Sequence, residues 1–214
     1  MKDSEIFTFI KNFKDWTVVK TKLHELNYTV QADPGIKTTY VIFQESNGKK
    51  DWKDNLNFLP ISIKPYKNQE TVLKVHRGFA REYKSGNDEV LASVKAAIET
   101  YPGHKIVVSG WSNGGAVALL CAEDIFFNLK VKPDLITFGA PKVCANKKTA
   151  AYVYSCIGKA TEYCHKSDMV TTMPPGFYHV AKYPLGEFSL KHFFQPKEYH
   201  TRYDEFIREE VEKV

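Results

Sequence analysis

From Lys105 to Ile125 the chain passes from one apolar run directly into another through a turn rich in glycine, and this segment limits the fold more than any other. The first run, Lys105-Ile106-Val107-Val108-Ser109, is short and β-branched, as buried strands are. The second carries Ala116, Leu119, Leu120 and Ile125 at helical spacing. Between them lies Gly110-Trp111-Ser112-Asn113-Gly114-Gly115, which sets a Gly-x-Ser-x-Gly pattern between strand and helix. A serine placed there sits on a sharp, strained turn. Glycine at the flanking positions removes the Cβ that the neighbouring chain would otherwise strike. A turn that only binds an anion at a helix N-terminus would share these glycines; the strand-to-helix context favours a nucleophile.

The flanking segments repeat the alternation. From Asp88 to Tyr101, the residues Val90, Leu91, Val94, Ala97, Ile98 and Tyr101 trace one helical face, and Pro102-Gly103 stops it. Thr39–Phe43 and Asp134–Phe138 read as apolar strands, the latter ended by Gly139-Ala140-Pro141, and Ala160–Cys164 reads as another. Near the N-terminus Ile6, Phe9, Ile10, Phe13 and Trp16 predict an amphipathic helix packed on the body. Strands that are apolar throughout and alternate with helices imply an α/β fold, with a mostly parallel sheet covered on both faces. At 214 residues, with no repeat, low-complexity tract or linker, residues 1–214 are expected to form one domain.

Composition excludes several function classes. The chain is 43% hydrophobic and 26% charged, far from the signature of disorder. Its net charge of +5 is scattered, without the basic block that a nucleic-acid arm requires. No apolar run approaches the roughly 20 residues needed to span a bilayer. None follows Met1-Lys2-Asp3-Ser4-Glu5 as a signal peptide would, so the chain as given reads as soluble. Cys121, Cys144, Cys156 and Cys164 form no C-x-x-C pair, which disfavours a structural zinc site, and Cys121 reads as a small core residue.

A serine hydroxyl attacks at neutral pH only if a histidine takes its proton and an acid orients that histidine. In the strand-turn-helix arrangement the partners follow in the order Ser, acid, His. Downstream of Ser112 the acids at loop-compatible positions include Asp134, Glu162, Asp168 and Glu187, and the histidines are His165, His179, His192 and His200. Spacing alone does not choose among them.

The chain resembles the class 3 lipases, the family of fungal-type triacylglycerol lipases and feruloyl esterases, from about Thr39 to its C-terminal helix. The resemblance rests on five landmarks in order. These are Val41-Ile42-Phe43 leading to Asp51-Trp52; Val75-His76-Arg77-Gly78-Phe79; Gly110 to Ala116; Thr137-Phe138-Gly139-Ala140-Pro141-Lys142-Val143; and His165-Lys166-Ser167-Asp168-Met169-Val170 with Pro174-Pro175.

The resemblance implies an α/β-hydrolase fold and a carboxylic ester hydrolase, a lipase or esterase that works through an acyl-enzyme and needs no metal or organic cofactor. It makes Ser112 the nucleophile and Asp168 the acid, leaving His165 structural. It makes His200 the base, in His200-Thr201-Arg202-Tyr203, with His192 as the rival. Thr201 with Asp204 would form a capping box, starting a helix just after His200 and holding that histidine on a loop. His76 corresponds to a packing landmark. The oxyanion donors are the N–H of Asn113 and that of Ser46, which ends Phe43-Gln44-Glu45-Ser46. Where the family usually has Arg-Gly, this chain has Gln44-Glu45, and Trp111 and Asn113 stand where His and Leu are usual. A flap over the site falls in Asn47 to Phe58, where Trp52 and Leu56, with Leu59 just beyond, could form one narrow apolar stripe at helical spacing while most other positions are Lys, Asp or Asn.

The expected substrate is a small-molecule ester or a lipid, with short or partly soluble acyl esters preferred and at most transient contact with a lipid surface. The competing reading is a weakly active or inactive binding protein that retains the fold; labelling by a fluorophosphonate separates the two.

Overall fold

The computed structural model of the protein describes residues 1–21, 24–44, 60–63, 72–190 and 199–212. In chain order these form α1 (Asp3–Asn12), β1 (Thr17–Lys20), β2 (Glu25–Asp33), β3 (Thr38–Phe43), β4 (Pro60–Ile63) and β5 (Leu73–His76). Then come α2 (Arg77–Lys84), α3 (Asn87–Thr100), β6 (Lys105–Trp111), α4 (Asn113–Leu129), β7 (Asp134–Phe138), α5 (Lys147–Ser155), β8 (Ala160–His165), a 3-10 turn (Met169–Thr172), β9 (Lys182–Leu185) and α6 (Tyr203–Glu210).

Among these residues the main sheet has seven strands in the order β1-β2-β3-β6-β7-β8-β9, and β4 and β5 make a separate antiparallel pair. From β3 to β9 every pairing is parallel, whereas β1 and β2 add an antiparallel edge. The fold is thus the mostly parallel α/β-hydrolase sheet, with helices on both faces. Register brings the carboxyl ends of the central strands level. Phe43 lies opposite Gly110 and Trp111 opposite Phe138, so Gln44, Ser112 and Gly139 leave the sheet side by side.

The continuous apolar runs of the strands reflect burial on both faces. Successive side chains point to opposite sides, so Val41, Phe43, Ile106 and Val108 pack with α2, α3, α4 and α5 on one face. Tyr40, Ile42 and Val107 pack with α1 and α6 on the other. Every residue of α4 from Asn113 to Ile125 is buried, most of them apolar or small, and the two buried acids Glu123 and Asp124 accept the Tyr152 and Tyr83 hydroxyls. Cys121 lies in this core, and the cysteines Cys121, Cys144, Cys156 and Cys164 are all buried free thiols. Among the described residues no helix is long and apolar enough to cross a membrane.

Three boundaries differ from the sequence reading. The N-terminal helix stops at Asn12, so Phe13 and Trp16 lie beyond it, with Phe13 stacked on Phe9 and meeting Trp16 edge-on. Its most buried residue is Phe7, which packs on Trp111, Phe138 and Tyr203. Strand β6 continues two residues past Ser109, because Gly110 and Trp111 still pair with Thr137 and Phe138. The capping box at Thr201 and Asp204 does not form: α6 is capped by Arg202 without a side-chain bond. The Asp204 carboxylate is engaged instead by Lys11 and Arg208. Tyr199 and His200 carry helical backbone of their own, so His200 is not on a loop.

Candidate active site

Ser112 sits between the last residue of β6 and the first of α4 with φ 55° and ψ −125°, a left-handed conformation that a residue with a Cβ adopts at a cost. The strain is held by its surroundings. The Ser112 N–H donates to the Phe138 carbonyl at 2.9 Å, and its own carbonyl accepts the N–H groups of Gly115 and Ala116. The two flanking glycines are required by close approach. A Cβ on Gly114 would stand 2.6 Å from the carbonyl oxygens of Phe43 and Gln44, and one on Gly110 would collide with the carbonyl of Gly114. The elbow is therefore wedged between β3 and β7. Asn113 is the first residue of α4, so its backbone N–H stands at the N-terminal end of that helix.

The structure sorts the downstream acids and histidines by their partners. Asp168, wholly buried at the start of the 3-10 turn, accepts Val170 N–H on Oδ1 at 3.0 Å. Its Oδ2 faces His200 Nδ1 at 2.7 Å and accepts the Tyr203 hydroxyl at 2.8 Å. Tyr203 in turn accepts the N–H of His165. Burial first, and then the charge of Asp168, raises the Tyr203 pKa well above its ordinary value, so this hydroxyl keeps the proton that it donates. The His200 ring lies over Gly139 at the end of β7, where a Cβ would come within 2.9 Å of it. With Nδ1 committed to Asp168, His200 Nε2 makes no hydrogen bond among the described residues. Such a nitrogen is able to accept a proton from a hydroxyl.

A second acid–histidine pair, Glu162 with His179, has no such nitrogen. His179 Nδ1 faces Glu162 at 3.1 Å and its Nε2 faces the Thr171 carbonyl at 2.8 Å, so both ring atoms are used. Asp134 lies at the opposite end of the sheet, at the start of β7, where it binds Lys105 and the Lys159 N–H. Glu187 makes a long surface pair with Lys166. His165 is buried between Tyr199 and Phe206, and burial lowers its pKa. His76 stacks on Phe79, with its pKa lowered to about 4 by burial and then by Arg77, as a neutral packing residue.

The class 3 lipase family model matches residues 40–178, the span that holds both the elbow and Asp168. The chain belongs to the class 3 lipase family. Among the relatives of this lipase-family chain, a lipase of Rhizomucor miehei is 32% identical over 180 residues, 81% of this chain and 47% of the relative. A lipase of Rhizopus niveus is 30% identical over 170 residues, 76% of this chain and 42% of the relative. The chain thus spans less than half the length of these curated relatives. The solved Rhizomucor miehei triacylglyceride lipase superposes with a TM-score of 0.69 at 30% identity, covering 81% of this chain and 68% of that one. A triacylglycerol lipase described as having a serine-protease triad for its catalytic centre superposes equally well, at 32% identity and with the same coverage.

Two departures of this lipase-family chain acquire a structural account. The Trp111 indole donates to the His200 carbonyl at 2.9 Å and its ring lies 5.5 Å from the imidazole, so the residue before the serine steadies the histidine backbone. The Asn113 side chain turns towards α2 and donates to Glu82 at 2.7 Å. Sequence reasoning found neither contact, because both link residues distant in the chain that carry no motif. Ser46, Glu45, the flap from Asn47 to Phe58, and His192 lie outside the described residues. A cavity of about 510 Å³ borders Trp111 and Gln44 and is walled by Phe13, Trp16, Lys14 and Glu25.

The Tyr203 bond to Asp168 is open to a direct test. Tyr203→Phe removes one donor from a buried carboxylate and strands the His165 N–H. Hydrogen bonds to charged groups contribute about 1.5–3 kcal/mol. The variant should therefore unfold at lower urea concentration by a comparable free energy, with kcat reduced about tenfold as Asp168 holds His200 less firmly.

Proposed function

We propose that the protein is a serine carboxylic ester hydrolase in which Ser112 attacks the ester carbonyl, His200 relays the proton and Asp168 orients and charge-stabilises His200. The observation that carries the reading is a strained Ser112 bonded to Phe138, one residue before the Gly139 that underlies the His200 ring, and a His200 whose Nδ1 is committed to a buried carboxylate while its Nε2 is unused among the described residues. The Ser112 Oγ–H bond breaks as its proton passes to Nε2, and Oγ bonds to the carbonyl carbon. The oxyanion that forms is met by the N–H of Asn113 and that of Ser46. The alcohol leaves with the proton from His200, and water repeats the sequence to release the acid. None of these steps calls for a metal or organic cofactor.

Retention of the strained backbone at Ser112 argues for this reading over an inactive binding protein, since a cleft that only binds has no use for the strain. The test is covalent labelling. A fluorophosphonate should modify one residue stoichiometrically, and peptide mapping should place it at Ser112. A protein that stays unlabelled while folded would be the binding protein instead.

The substrate preference is argued from the surface beside Trp111, the residue before Ser112, since none of Ser112, Asp168 and His200 lines the cavity there. The cavity beside Trp111 mixes aromatic rings with Lys14, Glu25 and Asn27, which suits a partly soluble ester better than a long bare acyl chain. The sequence of the flap region, mostly Lys, Asp and Asn around Trp52 and Leu56, offers little apolar area to exchange with an oil surface. Hydrolysis should therefore rise smoothly as the substrate concentration crosses its solubility limit. A steep jump there, abolished by Trp52→Ser, would establish an interfacial lid in place of this preference.

A further inference from the structure

The turn that aims Asp168 is held from behind by the second acid–histidine pair. The Glu162 and His179 side chains are 3% and 5% exposed. On Glu162, Oε2 accepts the N–H groups of Val180 and Ala181 at 2.6 and 2.7 Å, which fixes the carboxylate against the chain that follows His179. Its Oε1 lies 3.1 Å from His179 Nδ1. On the other side of the ring, Nε2 lies 2.8 Å from the Thr171 carbonyl. A carbonyl only accepts, so Nε2 carries a hydrogen. A bare Nδ1 would then point its lone pair at a carboxylate, so Nδ1 carries one too. The ring is an imidazolium bridging β8 to the 3-10 turn.

Thr171 passes the constraint on. Its N–H and its hydroxyl both donate to the Asp168 carbonyl, at 3.3 and 2.9 Å. We propose that His179 is a positioning residue for the triad acid: by donating from both nitrogens it ties the turn behind Asp168 to Glu162, and loss of either donor sets the alkaline limit of turnover. The inference rests on the triad reading above.

The electrostatics agree with the geometry. Burial opposes charge on the ring, but its bonds to Cys164 and Glu162, together with their charges, prevail and raise the His179 pKa to about 10. The ionisable groups acting on the ring, Glu162 and Cys164, both belong to β8. Behind them, Cys144, bridged to Tyr178, senses Glu162, and Lys142 senses Cys164. The turn residues Met169–Thr172 carry no ionisable side chain. Because the folded-state pKa is raised, the stabilisation is complete below the ordinary value of 6.5 and is lost as pH rises through about 10. Above that pH the neutral ring satisfies Thr171 or Glu162, not both.

The experiment follows kcat and KM for a soluble ester by pH-stat between pH 6 and 11 in wild type, His179→Gln and Glu162→Gln, with circular dichroism to monitor the fold. Wild type should lose kcat through an alkaline limb near 10 while KM and fold persist. His179→Gln should lower kcat at neutral pH by about ten- to a hundredfold, the scale of a small misplacement in a triad, and remove the limb. Should that variant fail to fold, Glu162→Gln keeps the ring and should move the limb from about 10 towards 6.5. An alkaline limb unchanged in either folded variant overturns the proposal. Wild type that neither turns over nor labels with fluorophosphonate overturns the triad reading instead.

Discussion

Ser112→Ala is expected to abolish ester hydrolysis, lowering kcat by about a millionfold, as loss of the nucleophile does in enzymes of this mechanism. The change removes one oxygen from a residue that is 4% exposed and whose hydrogen bonds among the described residues run through its backbone: the N–H to Phe138 and the carbonyl to Gly115 and Ala116. Those bonds survive the substitution, and alanine bears the same Cβ at φ 55° as serine does. The fold should therefore persist, with an unchanged circular dichroism spectrum and a urea midpoint close to that of wild type. Fluorophosphonate labelling should vanish with the activity. Residual turnover within a hundredfold of wild type would assign the nucleophile elsewhere.

His200→Ala should be nearly as severe as the serine change, because without a base the hydroxyl is not activated, and Asp168→Asn should cost about ten-thousandfold. The asparagine keeps the volume of the buried side chain but, with its amide nitrogen turned to His200, would favour the wrong tautomer of the ring. The geometry makes the two residues one unit, at 2.7 Å, so their combined loss should be far smaller than the product of the separate losses. Rates measured by pH-stat in the two single variants and the double variant test this. If His192→Ala destroys activity and His200→Ala does not, the base has been misassigned.

How much of this was readable from the sequence depends on how local each feature is. The elbow was legible because strand, turn and helix follow one another within β6 and α4, and the glycines answer to collisions within that span. The parallel sheet was legible from strands apolar on both faces. Strand β2 was not anticipated, although Glu25–Asp33 buries residues on a partly alternating pattern; its antiparallel pairing with β3 leaves no periodic run of the kind seen in β6. For the base and acid, spacing left four acids and four histidines open, and the family resemblance chose the pair that the fold brings to 2.7 Å. What the sequence could not offer was the use of each ring nitrogen. That alone separates His200 from His179, and it depends on carbonyls and carboxylates brought together by folding.

The two helices at the ends of the described chain are joined. Ser4 bonds through its N–H and hydroxyl to Glu212, Asp3 accepts the Tyr163 hydroxyl, and Lys11 reaches the Thr201 carbonyl. Ser112 sits on an elbow made by a strand and helix adjacent in sequence, whereas His200 is held by Asp168 and Trp111 and its neighbour Thr201 by Lys11 of α1, all remote in the chain. Local opening that separates α1 from α6 would then leave His200 without a fixed direction first. In that partly opened state the sheet and the strained serine would persist beside a histidine with no fixed direction. Native-looking secondary structure and chemical competence are thus separable quantities in this molecule.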